Sequence, residues 1–240
     1  MISMSKTSTL YQHGTLALLV PGLLKGTTTM ADFLKHGDTG IGTGEGLDGE
    51  LVILDGKPYQ VNSKGEVNIV NGDFTMPFAN ANWADYQPLA TVENVKMADL
   101  SKQILELSRS ANTFFSVKVQ GTFTDVTTRA VAKSDVPYKT LSETAKQQSV
   151  FKRDTVEGTL LGYYSPELFN GAAVGGFHYH FMSDAHDFGG HVLGFAVDQA
   201  EVTIQQFDTL EQHLPVSDND YMQHDFADDE IDKSIEESEK

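Results

Sequence analysis

The 240-residue chain contains no cysteine. Disulfides, thiolate metal sites and cysteine nucleophiles are excluded, so a transition metal here must be held by histidine and carboxylate. No run of about 18 apolar residues occurs, which argues against a helical membrane span. The opening Met1-Ile2-Ser3-Met4-Ser5-Lys6 lacks the basic-then-apolar-then-small pattern of a secretory signal, and a cytoplasmic location is expected. Positive charge is also scarce: 17 Lys and Arg stand against 34 Asp and Glu, a formal net charge of −17. Nucleic acid is an improbable partner for such a field, because phosphate binding needs the opposite sign. The imbalance is steepest at the end, where residues 217–240 carry ten acidic side chains against Lys233 and Lys240. By composition alone, such a tail is solvated or disordered.

What is present suffices for a substantial core, since 40% of the residues are hydrophobic and the length allows one large domain or two small ones. Residues 9–20 mix β-branched and apolar side chains before Pro21-Gly22 breaks the run. Thr29 with Asp32 resembles the N-cap of a short helix over 30–36. Residues 51–54, the Asp55-Gly56 turn and residues 59–61 spell a hairpin, and Lys64-Gly65 leads to a third strand at 67–70. Leu100, Ile104, Leu105 and Leu107 recur at helical spacing in 98–108. From Phe115 the alternation with Val117 and Val119 marks a half-buried strand. Residues 131–150 read as a connection or weak helix, followed by strands at 158–164, 174–182, 191–197 and 202–207. These elements predict an α+β fold with mixed β-sheets and flanking helices. Two closely packed sub-domains are expected, 1–135 and 136–240.

Chemistry-bearing residues concentrate in Gly176-Phe177-His178-Tyr179-His180-Phe181. On a strand, residues two apart share a face, so His178 and His180 point together. The turn-rich Ser183-Asp184-Ala185-His186-Asp187-Phe188-Gly189-Gly190 lets the chain reverse and return His191 beside them. Three imidazoles from adjacent strands suit zinc and leave a coordination position open. Local sequence leaves a second reading standing, in which His-Tyr-His decorates an exposed sheet face. Gly44, Gly46 and Gly49 satisfy the GxGxxG spacing of a dinucleotide-binding turn, but a loop precedes them and a strand follows, the wrong context for that fingerprint. Thr43, Asp48 and Glu50 beside those glycines have side chains capable of chemistry. Arg129 stands without another cation within three residues; facing a metal, its planar fork would grip a carboxylate.

Together these residues resemble the α-acetolactate decarboxylase family over nearly the whole chain. The resemblance rests on Leu10-Tyr11-Gln12, Leu34-Lys35-His36-Gly37-Asp38, Gly42-Thr43 and Leu47-Asp48-Gly49-Glu50-Leu51. It continues in Gly176-Phe177-His178-Tyr179-His180-Phe181 and Gly190-His191-Val192-Leu193. The resemblance implies zinc on His178, His180 and His191, an arginine near the metal at Arg129, an active-site threonine at Thr43 and a glutamate at Glu50. A glutamate of the family's terminal helix falls on Glu239, or on Glu237 after a shift of two, and Ser238 stands where the family usually has an apolar residue. The implied reaction converts 2-acetolactate to (R)-acetoin and carbon dioxide. In it a Lewis-acid metal polarises the ketone and stabilises the enediolate, Arg129 orients the carboxylate, and Glu50 or Glu239 moves the proton. A homodimer is also implied.

Two other classes share a His-X-His strand and a third histidine: a cupin-type oxygenase or zinc hydratase with Asp184 as a fourth ligand, and a non-enzymatic binding module with a closed structural metal site.

Overall fold

The computed structural model describes residues 6–239, and side chains for 7–235. The N-terminal strands are β1 (Thr9–His13), β2 (Thr28–Thr29), β3 (Thr39–Thr43), β4 (Glu50–Leu54), β5 (Lys57–Val61), β6 (Val67–Ile69), β7 (Thr75–Met76) and β8 (Phe78–Asn82). Longer strands follow: β9 (Gln87–Lys96), β10 (Phe114–Ala130), β11 (Ser149–Ser165), β12 (Gly176–Ser183), β13 (Gly189–Phe207) and finally the short β14 (Thr209–His213). Six helices lie among them: α1 (Leu16–Leu19), α2 (Met30–Phe33), α3 (Met97–Ser108), α4 (Leu141–Ala145), α5 (Asn219–Gln223) and α6 (Ile231–Glu239). None among the described residues is long and apolar enough to cross a membrane.

The architecture is α+β with mixed sheets. One sheet has the order β14-β1-β8-β3-β4-β5-β6 and is antiparallel except for the parallel pair β1 and β14. The other is antiparallel: β10, β11, β12 and β13 pair in a closed ring, and β9 adds to β13. Between the sheets, Ile41, Val52 and Val61 pack against Leu161, Tyr163, Met182 and Phe207. A second core lies on the far side of the five-stranded sheet, where Leu100 and Ile104 of α3 meet Val117, Phe123 and Phe181. Each such side chain, once fully buried, contributes about 1.5–3 kcal/mol. Residue 135, the expected sub-domain division, falls in the connection between β10 and β11, which are neighbours in one sheet. The second sheet therefore draws its strands from both sides of that position.

Local chemistry explains most elements. The Thr29 hydroxyl accepts from the Asp32 backbone N–H at 3.2 Å and starts α2. The β4–β5 hairpin turns through Asp55 and Gly56 with φ of 51° and 74°, a conformation that the Asp-Gly pair favours. Residues 9–20 form β1 and the helix α1, because Gly14 at φ 70° ends the strand. Two expectations differ from the structure. The strands expected at 191–197 and 202–207 are one strand, β13, bent by register shifts against β10 and β9. The acidic tail is helical from Ile231 to Glu239, with Ile235 only 3% exposed, because an apolar pair at spacing four gives it a face to bury.

Candidate functional site

Strand alternation builds the site. Phe177, Tyr179 and Phe181 of β12 face the core under α3, where Tyr179 Oη lies 3.0 Å from Ser101 Oγ. His178 and His180 therefore face the opposite way, as the period of two requires. The connection 184–188 is closed by Ser183, whose backbone N–H donates to Phe188 O at 2.8 Å and whose hydroxyl oxygen accepts from the Asp187 and Phe188 N–H groups. The chain then re-enters as β13 with His191 opposite His180. On the other edge of β13, Arg129 of β10 pairs with His191. Gly189 and Gly190 make this crowding possible. A Cβ on Gly190, whose φ is 122°, would lie 2.6 Å from Arg129 O.

The three histidines offer nitrogens that all lie within 4.8 Å of one another. His178 Nε2 and His191 Nδ1 are 3.0 Å apart. Three ligands at tetrahedral zinc, with bonds of about 2.0–2.1 Å, stand about 3.3 Å from each other, close to this spacing. His180 is almost wholly buried, and its Nδ1 lies 2.8 Å from the backbone carbonyl of Leu51. That carbonyl can only accept, so Nδ1 carries the proton and the lone pair is on Nε2. Nε2 is buried without a hydrogen-bond partner. A second-sphere carbonyl fixing the tautomer of a histidine is the usual arrangement at a metal centre. Burial holds all three imidazoles neutral, the form that ligates. It is the main cause, with the Arg129 guanidinium next for His178 and His191, and His178 itself next for His180. His178 is held at about 3, and the other two lie well below the usual histidine range. These residues fit a metal cofactor.

The sheet packing brings β4 against this cluster. Glu50, at the start of β4 and 6% exposed, places Oε2 at 3.4 Å from His180 Nε2 and Oε1 at 3.9 Å from Arg129 Nη1. Thr43 pairs with Glu50 across β3 and β4, and its hydroxyl donates to Gly49 O at 2.9 Å. Its oxygen keeps lone pairs available to a ligand. Thr43, Glu50, Arg129, His178, His180 and His191 line one cavity. Asp184 is exposed in the β12–β13 connection and stands outside the histidine cluster. The Gly44–Gly49 segment holds a short helical turn between β3 and β4, with Gly46 and Gly49 at positive φ. The side chains of Glu237 and Glu239 lie outside the described residues.

The rest of the cavity lining is largely apolar: Leu16, Leu19, Leu47, Phe78, Val131 and Leu141. None of these stood out in the sequence. The signal that could have found Leu141 is Thr140 with Glu143, a capping box that starts α4.

Comparison with known proteins agrees with the resemblance seen in the sequence. Residues 10–228 match the family model described as alpha-acetolactate decarboxylase. The chain is 36% identical to the alpha-acetolactate decarboxylase of Streptococcus thermophilus over 98% of this chain and 100% of that protein. It is 37% identical to that of Lactococcus lactis subsp. lactis, over 94% of each. The crystal structure of alpha-acetolactate decarboxylase from Bacillus subtilis strain 168 superposes with a TM-score of 0.90 at 33% identity, covering 97% of this chain and 99% of that one.

Proposed function

The chain belongs to the alpha-acetolactate decarboxylase family of lyases, and on that premise we propose that it converts 2-acetolactate to (R)-acetoin and carbon dioxide with zinc held by His178, His180 and His191. The observation that carries the metal reading is His180, whose buried Nε2 lacks a hydrogen-bond partner while Nδ1 is committed to Leu51 O. Held by these three histidines, zinc would supply Lewis acidity for the decarboxylation.

The remaining chemistry belongs to the chain. Arg129 holds the substrate carboxylate in its planar fork, which orients the bond that breaks. Carbon dioxide departs, and the electron pair left behind passes into the ketone to give an enediolate. Glu50 lines the same cavity and delivers a proton to the carbon that lost the carboxylate. Glu239, or Glu237 two residues earlier, is the second proposed carboxyl, and protons are replaced from solvent. Thr43 accepts from the substrate hydroxyl, since its own hydrogen is committed to Gly49 O. The apolar part of the cavity lining keeps water from the enediolate, so protonation comes from the side chain on one face and yields one enantiomer. The proposed setting is a cytoplasmic homodimer. Cysteine-free composition supports the location, and family membership supports the assembly.

The test is to incubate the purified protein with racemic acetolactate before chelation, after it, and after zinc is restored. Acetoin is resolved by chiral chromatography, and bound metal is measured by mass spectrometry. Turnover to (R)-acetoin that disappears with the metal and returns with zinc is the expected result. A zinc-loaded protein that forms no acetoin overturns the reading.

A further inference from the structure

The cavity divides by origin as well as by polarity. Every polar liner stands on a strand: Thr43 on β3, Glu50 on β4, Arg129 on β10, His178 and His180 on β12, His191 on β13. Five of the six apolar liners stand outside the strands: Leu16 and Leu19 on α1, Leu47 in the turn between β3 and β4, Val131 just past β10, and Leu141 on α4. They belong to a hydrophobic cluster separate from the sheet cores, and Ile235 of α6 is buried in the same cluster. The Leu141 N–H donates to Val20 O at 3.2 Å, which joins α4 to the end of α1. The space open to water is ≈ 30 Å³, and the cavity opens in part to solvent. Strand side chains are fixed by register on both edges, whereas α4 is a five-residue helix midway along the connection between β10 and β11.

A 2-hydroxy-3-keto acid has its polar atoms on one side and two alkyl groups on the other. Polar atoms placed against leucine would lose their hydrogen bonds, so the alkyl groups face the helix-borne leucines. We propose that Leu141, backed by Leu16 and Leu19, determines the size of the alkyl group accepted on the tertiary carbon of the substrate. This rests on the decarboxylase reading and adds to it the residue that separates the methyl-bearing substrate from its ethyl homologue. Leu141 is 4% exposed and clusters with side chains of α1 and α6 and with Phe78 of β8, none of them a proposed ligand, so shortening it widens the cavity and leaves the metal ligands on their strands.

The test uses zinc-loaded wild type, Leu141→Ala, Leu141→Val and Leu141→Phe, with exposed Leu107→Ala as control. Binding of 2,3-dihydroxy-2-methylbutanoate and its 2-ethyl homologue is measured by calorimetry. In these acids the ketone is reduced, so they bind without decarboxylating. The kcat/KM values for acetolactate and its ethyl homologue are measured in parallel. Wild type is expected to favour the methyl compounds. Leu141→Ala moves the ratio about tenfold toward ethyl, the usual worth of one methylene in a pocket; Leu141→Val moves it less, and Leu141→Phe moves it the other way. The control leaves the ratio unchanged. Should Leu141→Ala not fold, Leu141→Val decides the sign. An unchanged ratio in folded, metal-containing Leu141→Ala or Leu141→Val overturns the proposal. If wild type does not turn over acetolactate, the decarboxylase reading fails, while the calorimetric ratio still decides whether Leu141 sets the pocket.

Discussion

Glu50 places a buried carboxyl between two different groups, with His180 Nε2 at 3.4 Å and Arg129 Nη1 at 3.9 Å. Its neutral isostere preserves the shape and removes the acid. Glu50→Gln is expected to match wild type in metal content and lose at least about 100-fold in kcat, read by acetoin formation alongside metal analysis. Full stereospecific turnover in that variant would remove Glu50 from proton transfer. His13 makes a different prediction, about stability. It is buried beside Thr27, with Nε2 2.8 Å from the hydroxyl, and burial, then the charge of His213, lowers its pKa to about 4. Between its ordinary value of 6.5 and about 4, the unfolded chain takes up a proton that the folded chain refuses. Stability from this group is thus complete above pH 6.5 and falls as the pH drops through that window. The thermal midpoint of His13→Gln should vary less across the same range than that of wild type. At this scale the His-X-His pair was legible because strand period alone sets the direction of both rings. The Leu51 carbonyl that fixes the His180 tautomer was not legible, because every residue carries a carbonyl and only packing chooses which one is used.

Among elements, the β12–β13 pair carries the three histidines. Its register sets His180 opposite His191, and a slip of one residue would turn one ring to the α3 side. Gly190 protects that register by letting β10 approach. Gly190→Ala, with a φ of 122° and a Cβ 2.6 Å from Arg129 O, is expected to lose about 2 kcal/mol or more in denaturant unfolding. Much of its bound metal should go as well, and a variant with wild-type stability and metal content would contradict this account. Short-range signals were dependable where chemistry is local, as in the Thr29 cap, the Asp55-Gly56 turn and the helical spacing of α3. They failed for β8, whose Phe78-Ala79-Asn80-Ala81-Asn82 is buried at every position between β1 and β3. A central strand covered on both faces has no alternation to read. In the tail, Ile231 and Ile235 were outweighed by ten acidic neighbours, yet the apolar pair is what docks α6.

For the whole molecule, the charge of −17 gives an anionic substrate a repulsive long-range field, against which the Arg129 guanidinium acts only at close quarters. Salt screens the former over about 10 Å at 0.1 M and reaches a buried group far less. The kcat/KM for acetolactate should therefore rise by a few-fold as ionic strength increases from about 10 to 150 mM, with kcat nearly constant. A fall would mean that local positive charge governs encounter. The sequence by itself limited the donor chemistry, because a cysteine-free chain can hold a transition metal only through histidine and carboxylate, and strand period turns His178 and His180 to one face. It also determined the hairpin over residues 51–61 and the third strand that follows it, through alternation and turn residues that act within a few positions. The family resemblance grouped Thr43, Glu50 and Arg129 with the histidines, but only the tertiary structure gave the physical reason, which is that the two sheets pack with these faces together. The tertiary structure alone placed Leu16, Leu19 and Leu141 in the same cavity. Those meetings depend on which faces of two sheets and which short helices exclude water together. That is a property of the packed chain, and no local pattern encodes it.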